Sequence, residues 1–383
     1  MVKPKKNDLS VLIIAGETSS DKYGAHLVQA VKTLCPSLSF FGIGGQHMEE
    51  EGVDLLFHVR DISLVGFEII FCLFNLLKIF KRLDLETTLR KPAAAILIDS
   101  PDFNLRLAKK LKKRLVPVLY FIGPTVWAWR KGRLKTIKNN VTKMLLIFPF
   151  EEKIYHDHQI PAIYVGHPLK GRIRPSLSRE EFFEKYQLNP DKRLITFLPG
   201  SRRSELKFHL PVLLQSVKRF REKFNAQFIL LQAENLDERL YSDYLSSSRE
   251  DLRMIREDKY EAMASSDLIL AACGTANLEA VLLEVPLVSF YRISPFYYWA
   301  GVRFVKIENF SITNILAGKK VVPELIQKQF TAENLFIEAQ KILESEQMRS
   351  EMIRHFKSIK QSLGDQSTFQ NVAGELRKII CPG

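Results

Sequence analysis

The chain has 383 residues, 46% hydrophobic and 26% charged, with no low-complexity tract or internal repeat; it is long enough for two or three domains, each with its own apolar core. Its 56 Lys+Arg against 43 Asp+Glu give a formal charge of +13 that favours anionic partners, but the basic residues are dispersed and no nucleic-acid-binding module is present, so anionic lipid or a phosphorylated small molecule is expected rather than nucleic acid. The four cysteines, Cys35, Cys72, Cys273 and Cys381, lack CxxC spacing, which argues against a zinc site or a disulfide framework and for a reducing cytoplasm.

Residues 1–8 are basic, but the apolar run 9–15 that follows is too short for a secretory signal, and none is expected. Residues 9–14 read as a strand, 21–34 as a helix with Leu27, Val31 and Leu34 on one face, and 38–43 as the next strand. The turns Ala15-Gly16-Glu17-Thr18-Ser19-Ser20-Asp21 and Phe41-Gly42-Ile43-Gly44-Gly45-Gln46 each follow a strand. Glu17, Thr18, Ser19 and Gly45 are therefore candidate ligand contacts; the alternatives are a helix cap at Ser20 or Asp21 and a simple chain reversal at Gly44-Gly45. Residues 62–80 are strongly apolar, but Glu68, Asn75 and Lys78 interrupt them, which disfavours a membrane span. A buried core helix and a helix lying in a membrane interface, backed by Lys81 and Arg82, are the two remaining readings.

Strands at 94–98, 116–121, 144–148 and 163–165 continue an alternation that implies a parallel sheet with helices on both faces. The first of these runs into Ile98-Asp99-Ser100-Pro101-Asp102-Phe103-Asn104, which places two carboxylates at the carboxyl edge of the sheet, where open α/β folds bind ligands. The second is followed by Trp127-Ala128-Trp129-Arg130, which either shapes the ligand cleft or packs beneath it. His167 ends a later strand and is more simply structural than a ligand contact.

The pattern restarts after a polar stretch at 170–193, with strands at 194–198, 227–231, 268–272 and 287–290. A second α/β domain is expected from residue 170 to about 340, facing the first (1–169) across a central cleft, with a helical C-terminal segment over 341–383. Pro199-Gly200-Ser201-Arg202 follows its first strand; small residues there admit backbone amides to a phosphate, and Arg202 supplies a bidentate fork. Cys273-Gly274-Thr275-Ala276-Asn277-Leu278-Glu279 repeats the strand-turn-helix arrangement, with Gly274 and Thr275 against phosphate. Glu279 is then either a ribose contact or a helix-surface carboxylate. No G-x-x-x-x-G-K-[ST] loop or G-x-G-x-x-G fingerprint is present, which disfavours a kinase or a dehydrogenase.

With these turns in place, the chain resembles the lipid-A-disaccharide synthases, inverting glycosyltransferases built of two Rossmann-like domains (GT-B). The resemblance rests on Ala15–Ser19, the 98–104 block, 126–130, 199–202, Gly274-Thr275-Ala276, Tyr291-Arg292, and Asn314-Ile315-Leu316-Ala317-Gly318 before Val322-Pro323-Glu324-Leu325. It implies that UDP-2,3-diacylglucosamine is joined to 2,3-diacylglucosamine 1-phosphate without a cofactor; the chain carries no Asp-x-Asp metal clamp. It makes Asp99 the base, with Asp102 orienting its loop, and has Arg202 steady the diphosphate. Asn104, Trp127, Arg130, Ser201, Gly274, Thr275, Glu279, Tyr291 and Asn314 become substrate contacts. Acylated substrates shift the expectation for 62–80 towards an anionic membrane surface, and the family suggests a homodimer. Ser20, Gly123 and Cys273 depart from the family's usual Gly, Ser and Ser, each keeping a small residue.

Overall fold

The structure, a computed structural model, describes residues 9–59, 69–127, 132–245, 252–295, 298–299, 308–364 and 367–381. The chain divides into two compact units, Met1–Pro168 with Leu363–Gly383, and Leu169–Ser362.

The first unit runs β1 (Ser10–Ala15), α1 (Thr18–Leu34), β2 (Ser39–Gly44), α2 (Gln46–Glu50), β3 (Asp54–His58), α3 (Ile69–Arg90) and β4 (Ala94–Ile98). It continues with α4 (Pro101–Lys113), β5 (Val118–Phe121), α5 (Arg133–Asn140), β6 (Lys143–Leu146), α6 (Glu151–Asp157) and β7 (Ala162–Tyr164). The strands form one parallel sheet in the order β3-β2-β1-β4-β5-β6-β7. Because successive side chains on a strand point to opposite faces, Leu12, Ile14, Ala95 and Leu97 feed one core while Val11, Ile13, Ala94 and Ile96 feed another. Burial on both faces is why these strands read as unbroken apolar runs.

The second unit comprises α7 (Arg179–Lys185), β8 (Arg193–Leu198), α8 (Arg203–Phe224), β9 (Ala226–Leu231), α9 (Arg239–Leu245), β10 (Leu252–Ile255) and α10 (Lys259–Ala264). Then come β11 (Leu268–Ala272), α11 (Thr275–Leu282), β12 (Leu287–Tyr291), α12 (Ile312–Ala317), β13 (Glu324–Ile326), α13 (Ala332–Glu344) and α14 (Glu346–Ser362). Its parallel sheet has the order β10-β9-β8-β11-β12-β13. The helical stretch expected over 341–383 is shared between the units. α14 belongs to the second, and the last helix, α15 (Thr368–Ile380), packs on α1 of the first through Phe369, whose ring lies 6.4 Å from Tyr23 and 5.5 Å from His26.

In both sheets the chain first winds one way from the starting strand and then returns to its other side, so strand order reverses between β1 and β4 and between β8 and β11. The carboxyl ends of those pairs are the expected ligand addresses.

Candidate active site

In the first unit, β1 and β4 end side by side, and the turns beyond them touch. A Cβ at Gly16 would run into the Ser100 side chain, so only glycine lets the two turns approach. Asp99 and Ser100 both adopt left-handed backbone conformations (φ 54° and 44°), which turn the chain sharply into Pro101, the first residue of α4. Tertiary contacts hold this strained turn. The Asp99 amide donates to Phe121 O at 3.1 Å, while the Asp99 carbonyl accepts from Tyr120 Oη and Asn104 Nδ2, each at 2.7 Å. Asn104 also donates to Ile98 O at 3.1 Å.

Burial, reinforced by the neighbouring Glu17 and opposed by the Ser100 amide, pushes the Asp99 carboxyl from 3.8 up to about 6. A carboxylate with that proton affinity is ionised at neutral pH yet a better base than an ordinary aspartate.

The other acceptor-side candidates separate into open and buried groups. Glu17 and Ser19 are exposed in the first turn of α1, where Thr18 also lies. Asp102 projects into solvent from α4 and pairs with Arg133 Nη2 at 2.6 Å. Asn104 is fully buried and positions the Asp99 turn. Gly45 is also buried, its amide donating to Asp21 Oδ1 at 2.6 Å; Asp21 thus caps α2 rather than its own helix. Trp127 is half-buried, edge-on to Phe150 at 5.5 Å, with its indole against the Glu151 carboxylate. Trp129 and Arg130 lie outside the described residues, as do 62–68 of the apolar segment.

Two buried groups here escaped the sequence. Tyr120 looked like one more apolar strand residue, and Glu151, pushed up to about 7 by burial, had only its place after a strand to mark it. The departure at Gly123 has a steric cause: a Cβ there would come within 2.6 Å of Met144 Cε and 3.0 Å of Tyr155 Oη. His167 is structural in character, buried beside Phe148 with its imidazole pushed down to about 3 and so neutral.

In the second unit, the turn after β8 corrects one expectation. The Ser201 and Arg202 amides, expected to face a phosphate, instead donate to Glu205 Oε2 at 2.8 and 3.2 Å. The Glu205 carboxylate fills the space where a Gly200 side chain would stand. What the turn offers a ligand is its side chains: Ser201 is exposed and the Arg202 side chain is 69% exposed. Beyond β11, Gly274 and Thr275 are exposed at the start of α11. A string beneath them, Asn277 Nδ2 to Ala272 O (3.1 Å), Ser289 Oγ to Asn277 Oδ1 (2.7 Å) and Cys273 Sγ to Ser289 Oγ (3.1 Å), fixes that turn. Burial pushes the Cys273 thiol up to about 12, so it serves this string rather than chemistry.

Glu279 is not a helix-surface carboxylate. It is buried, with Lys259 Nζ 2.5 Å from Oε2 and Tyr260 Oη 3.3 Å from Oε1, so a ribose would have to share it with those donors. Tyr291 is half-buried and donates to Glu205 Oε1 at 3.2 Å. Asn314 is fully buried: it donates to Val322 O (2.9 Å) and Glu324 Oε1 (2.7 Å) and accepts from the Val321 and Val322 amides, which leaves its amide group no capacity for a substrate.

Comparison with known proteins agrees with this architecture. The model of the lipid-A-disaccharide synthetase family matches residues 11–379. The lipid-A-disaccharide synthase of Geobacter metallireducens is 39% identical over 376 residues, 97% of each chain. That of Solibacter usitatus is 38% identical over 354 residues, 92% of each. Among solved structures, the UDP-GlcNAc 2-epimerase of Neisseria meningitidis bound to UDP-GlcNAc superposes with a TM-score of 0.66 at 12% identity, covering 97% of this chain and all of the other. A glycosyltransferase of Rickettsia africae superposes at 0.60, also at 12% identity, covering 98% and 99%. At such identity these two show the fold alone.

Proposed function

The chain belongs to the lipid-A-disaccharide synthase family, and from that premise we propose that it joins UDP-2,3-diacylglucosamine to 2,3-diacylglucosamine 1-phosphate with inversion at the anomeric carbon. It is a glycosyltransferase of lipid A biosynthesis. The observation that carries the mechanism is the Asp99 turn, a half-buried carboxylate of raised proton affinity held at the sheet's switch point. In the proposed step, Asp99 accepts the proton of the acceptor's primary hydroxyl as its oxygen attacks the anomeric carbon. The bond to the UDP oxygen breaks, and Arg202 balances the charge that develops on the leaving diphosphate. Gly274, Thr275 and Ser201 line the donor turns, and Glu279 is placed one helical turn in to meet the ribose. Glu17 and Ser19 lie open beside Asp99 for the acceptor.

Incubation with both diacyl sugars is expected to release UDP and form a tetraacyl disaccharide phosphate, read by mass spectrometry. Turnover of UDP-N-acetylglucosamine alone, with no disaccharide in any detergent, would transfer the assignment to an epimerase.

The acyl chains of both substrates favour contact with an anionic membrane surface. Among the described residues no helix is long and apolar enough to cross a membrane. α3 carries the end of the apolar segment, with Leu77 58% exposed and Lys78 and Lys81 exposed on the same helix. Such a face suits the interface, where apolar side chains enter the acyl boundary and lysines meet lipid phosphates. Flotation with vesicles rich in anionic lipid should retain the protein, and Leu77→Glu should weaken that retention.

A further inference from the structure

We propose that Glu205 and His209, one turn apart on α8, form a clamp that fixes the donor-side turn of residues 199–202 to the end of β12, and that Tyr291 acts on the donor only through Glu205 and the Arg202 side chain beside it. The proposal deepens the UDP-sugar reading above and rests on it. Residues four apart share a helix face, and both of these are buried, Glu205 6% exposed and His209 not at all.

His209 holds backbone on both sides of the site, and Glu205 holds backbone on the turn side and the Tyr291 hydroxyl on the other. Glu205 Oε2 accepts the Ser201 and Arg202 amides, while Oε1 lies 3.2 Å from both Arg202 Nη1 and Tyr291 Oη. His209 Nδ1 lies 2.6 Å from Pro199 O, and Nε2 lies 2.9 Å from the Arg292 amide. Pro199 O can only accept, which favours the hydrogen on Nδ1 and leaves Nε2 to receive the Arg292 amide, although the Arg292 carbonyl also lies 3.0 Å from Nε2. Burial lowers the proton affinity of the imidazole, in keeping with that neutral form. Edge-on packing against Phe290 at 5.2 Å and Phe330 at 5.6 Å keeps the ring in place.

β8 and β12 are not neighbours, because β11 runs between them. The clamp therefore spans the strand whose end carries Gly274 and Thr275 and frames the switch point on both sides. A buried carboxylate with this many donors cannot rotate without leaving some of them unmatched, so the turn is preorganised before any ligand arrives. The backbone of Arg202 is fixed while most of its side chain stays in solvent. Tyr291, whose hydroxyl meets both the Glu205 carboxylate and the Arg202 guanidinium, is then a positioning residue for that arrangement and not a donor contact.

The test combines hydrogen exchange at residues 201–202 of the intact, ligand-free protein with UDP affinity by calorimetry, for wild type, Tyr291→Phe, Glu205→Gln and the double variant. The wild-type Ser201 and Arg202 amides should be protected, and Tyr291→Phe should speed their exchange. The same variant should lower UDP affinity roughly tenfold, the loss expected for one hydrogen bond to a charged group. Its KM for the acceptor should not move. The double variant should bind UDP about as weakly as Glu205→Gln alone, since both changes act through the one Glu205–Arg202–Tyr291 cluster.

Free exchange in the wild type, or unchanged exchange in Tyr291→Phe, would overturn the clamp; should Glu205→Gln not fold, Tyr291→Phe still decides this point. Independent, multiplying effects on UDP affinity would show that Tyr291 acts outside that cluster and would overturn its assignment. Protected amides in a wild type that binds no UDP would refute the UDP-sugar reading and the role of Tyr291, with the clamp upheld.

Discussion

Asp99→Asn separates the proposed base from the turn that holds it. Asparagine tolerates the left-handed backbone at this position about as well as aspartate, and the carbonyl that Tyr120 and Asn104 grip is unchanged. The geometry should survive and only proton acceptance should be lost. Turnover should fall by about 10²- to 10⁴-fold, the usual contribution of a positioned general base, while UDP affinity stays within about twofold. Stability should move the other way. A carboxyl whose proton affinity rises from 3.8 to about 6 on folding loses up to about 3 kcal/mol of native stability at neutral pH, at about 1.4 kcal/mol per tenfold change. Asp99 is only partly shielded from solvent, so about 2 kcal/mol is the working figure.

The sign follows from the raised value. The protonated form stabilises the fold fully below pH 3.8, and that contribution is lost as pH climbs through about 6. At pH 7 the asparagine variant should therefore melt about 4–8 °C higher than wild type, an advantage that shrinks as pH falls through about 6 and is gone below about 4. Wild-type kcat/KM should rise with pH through about 6 as the base ionises. Product formation followed by mass spectrometry and melting followed by calorimetry give both readouts. A variant with near-normal turnover would refute the base assignment, and one that melts at or below the wild-type temperature would refute the buried-charge account.

Arg202→Ala should reduce turnover by about 10²-fold with the melting temperature almost unchanged, because the side chain is mostly in solvent; a large fall in melting temperature would contradict its exposure. Gly16→Ala should push Ser100 aside, displace Asp99 and impair turnover, and Ser100→Gly in the same chain should restore part of it by clearing the space for the new methyl group. Asn314→Ala should lower stability by about 2–4 kcal/mol, since it strands partners at Val321, Val322 and Glu324, and the folded fraction should keep its KM for the donor.

Strands buried on both faces were plain in the sequence because their apolar runs are unbroken, as at Ala94–Ile98. The edge strand Ala162–Tyr164 was read at 163–165, but the edge strands Asp54–His58, Leu252–Ile255 and Glu324–Ile326 were not. Each of the latter sits at an end of its sheet, short or partly exposed, and lacks the run that would have marked it.

The candidate site divides in the same way. Asp99, Arg202, Gly274 and Thr275 were legible because a polar or glycine-bearing turn after an apolar strand already points to the carboxyl edge of a sheet. The sequence by itself determined the two α/β units, the polar and glycine-bearing turns at their sheet edges and the family to which the chain belongs. Only the tertiary structure decided what each polar side chain in those turns does. Asn104 and Asn314 resemble ligand contacts in the sequence and Glu205 carries no mark there, but all three are buried and bonded to the backbone they support. That distinction depends on which hydrogen-bond partners folding brings within about 3 Å, often from strands far apart in the chain, and spacing along the chain does not encode it.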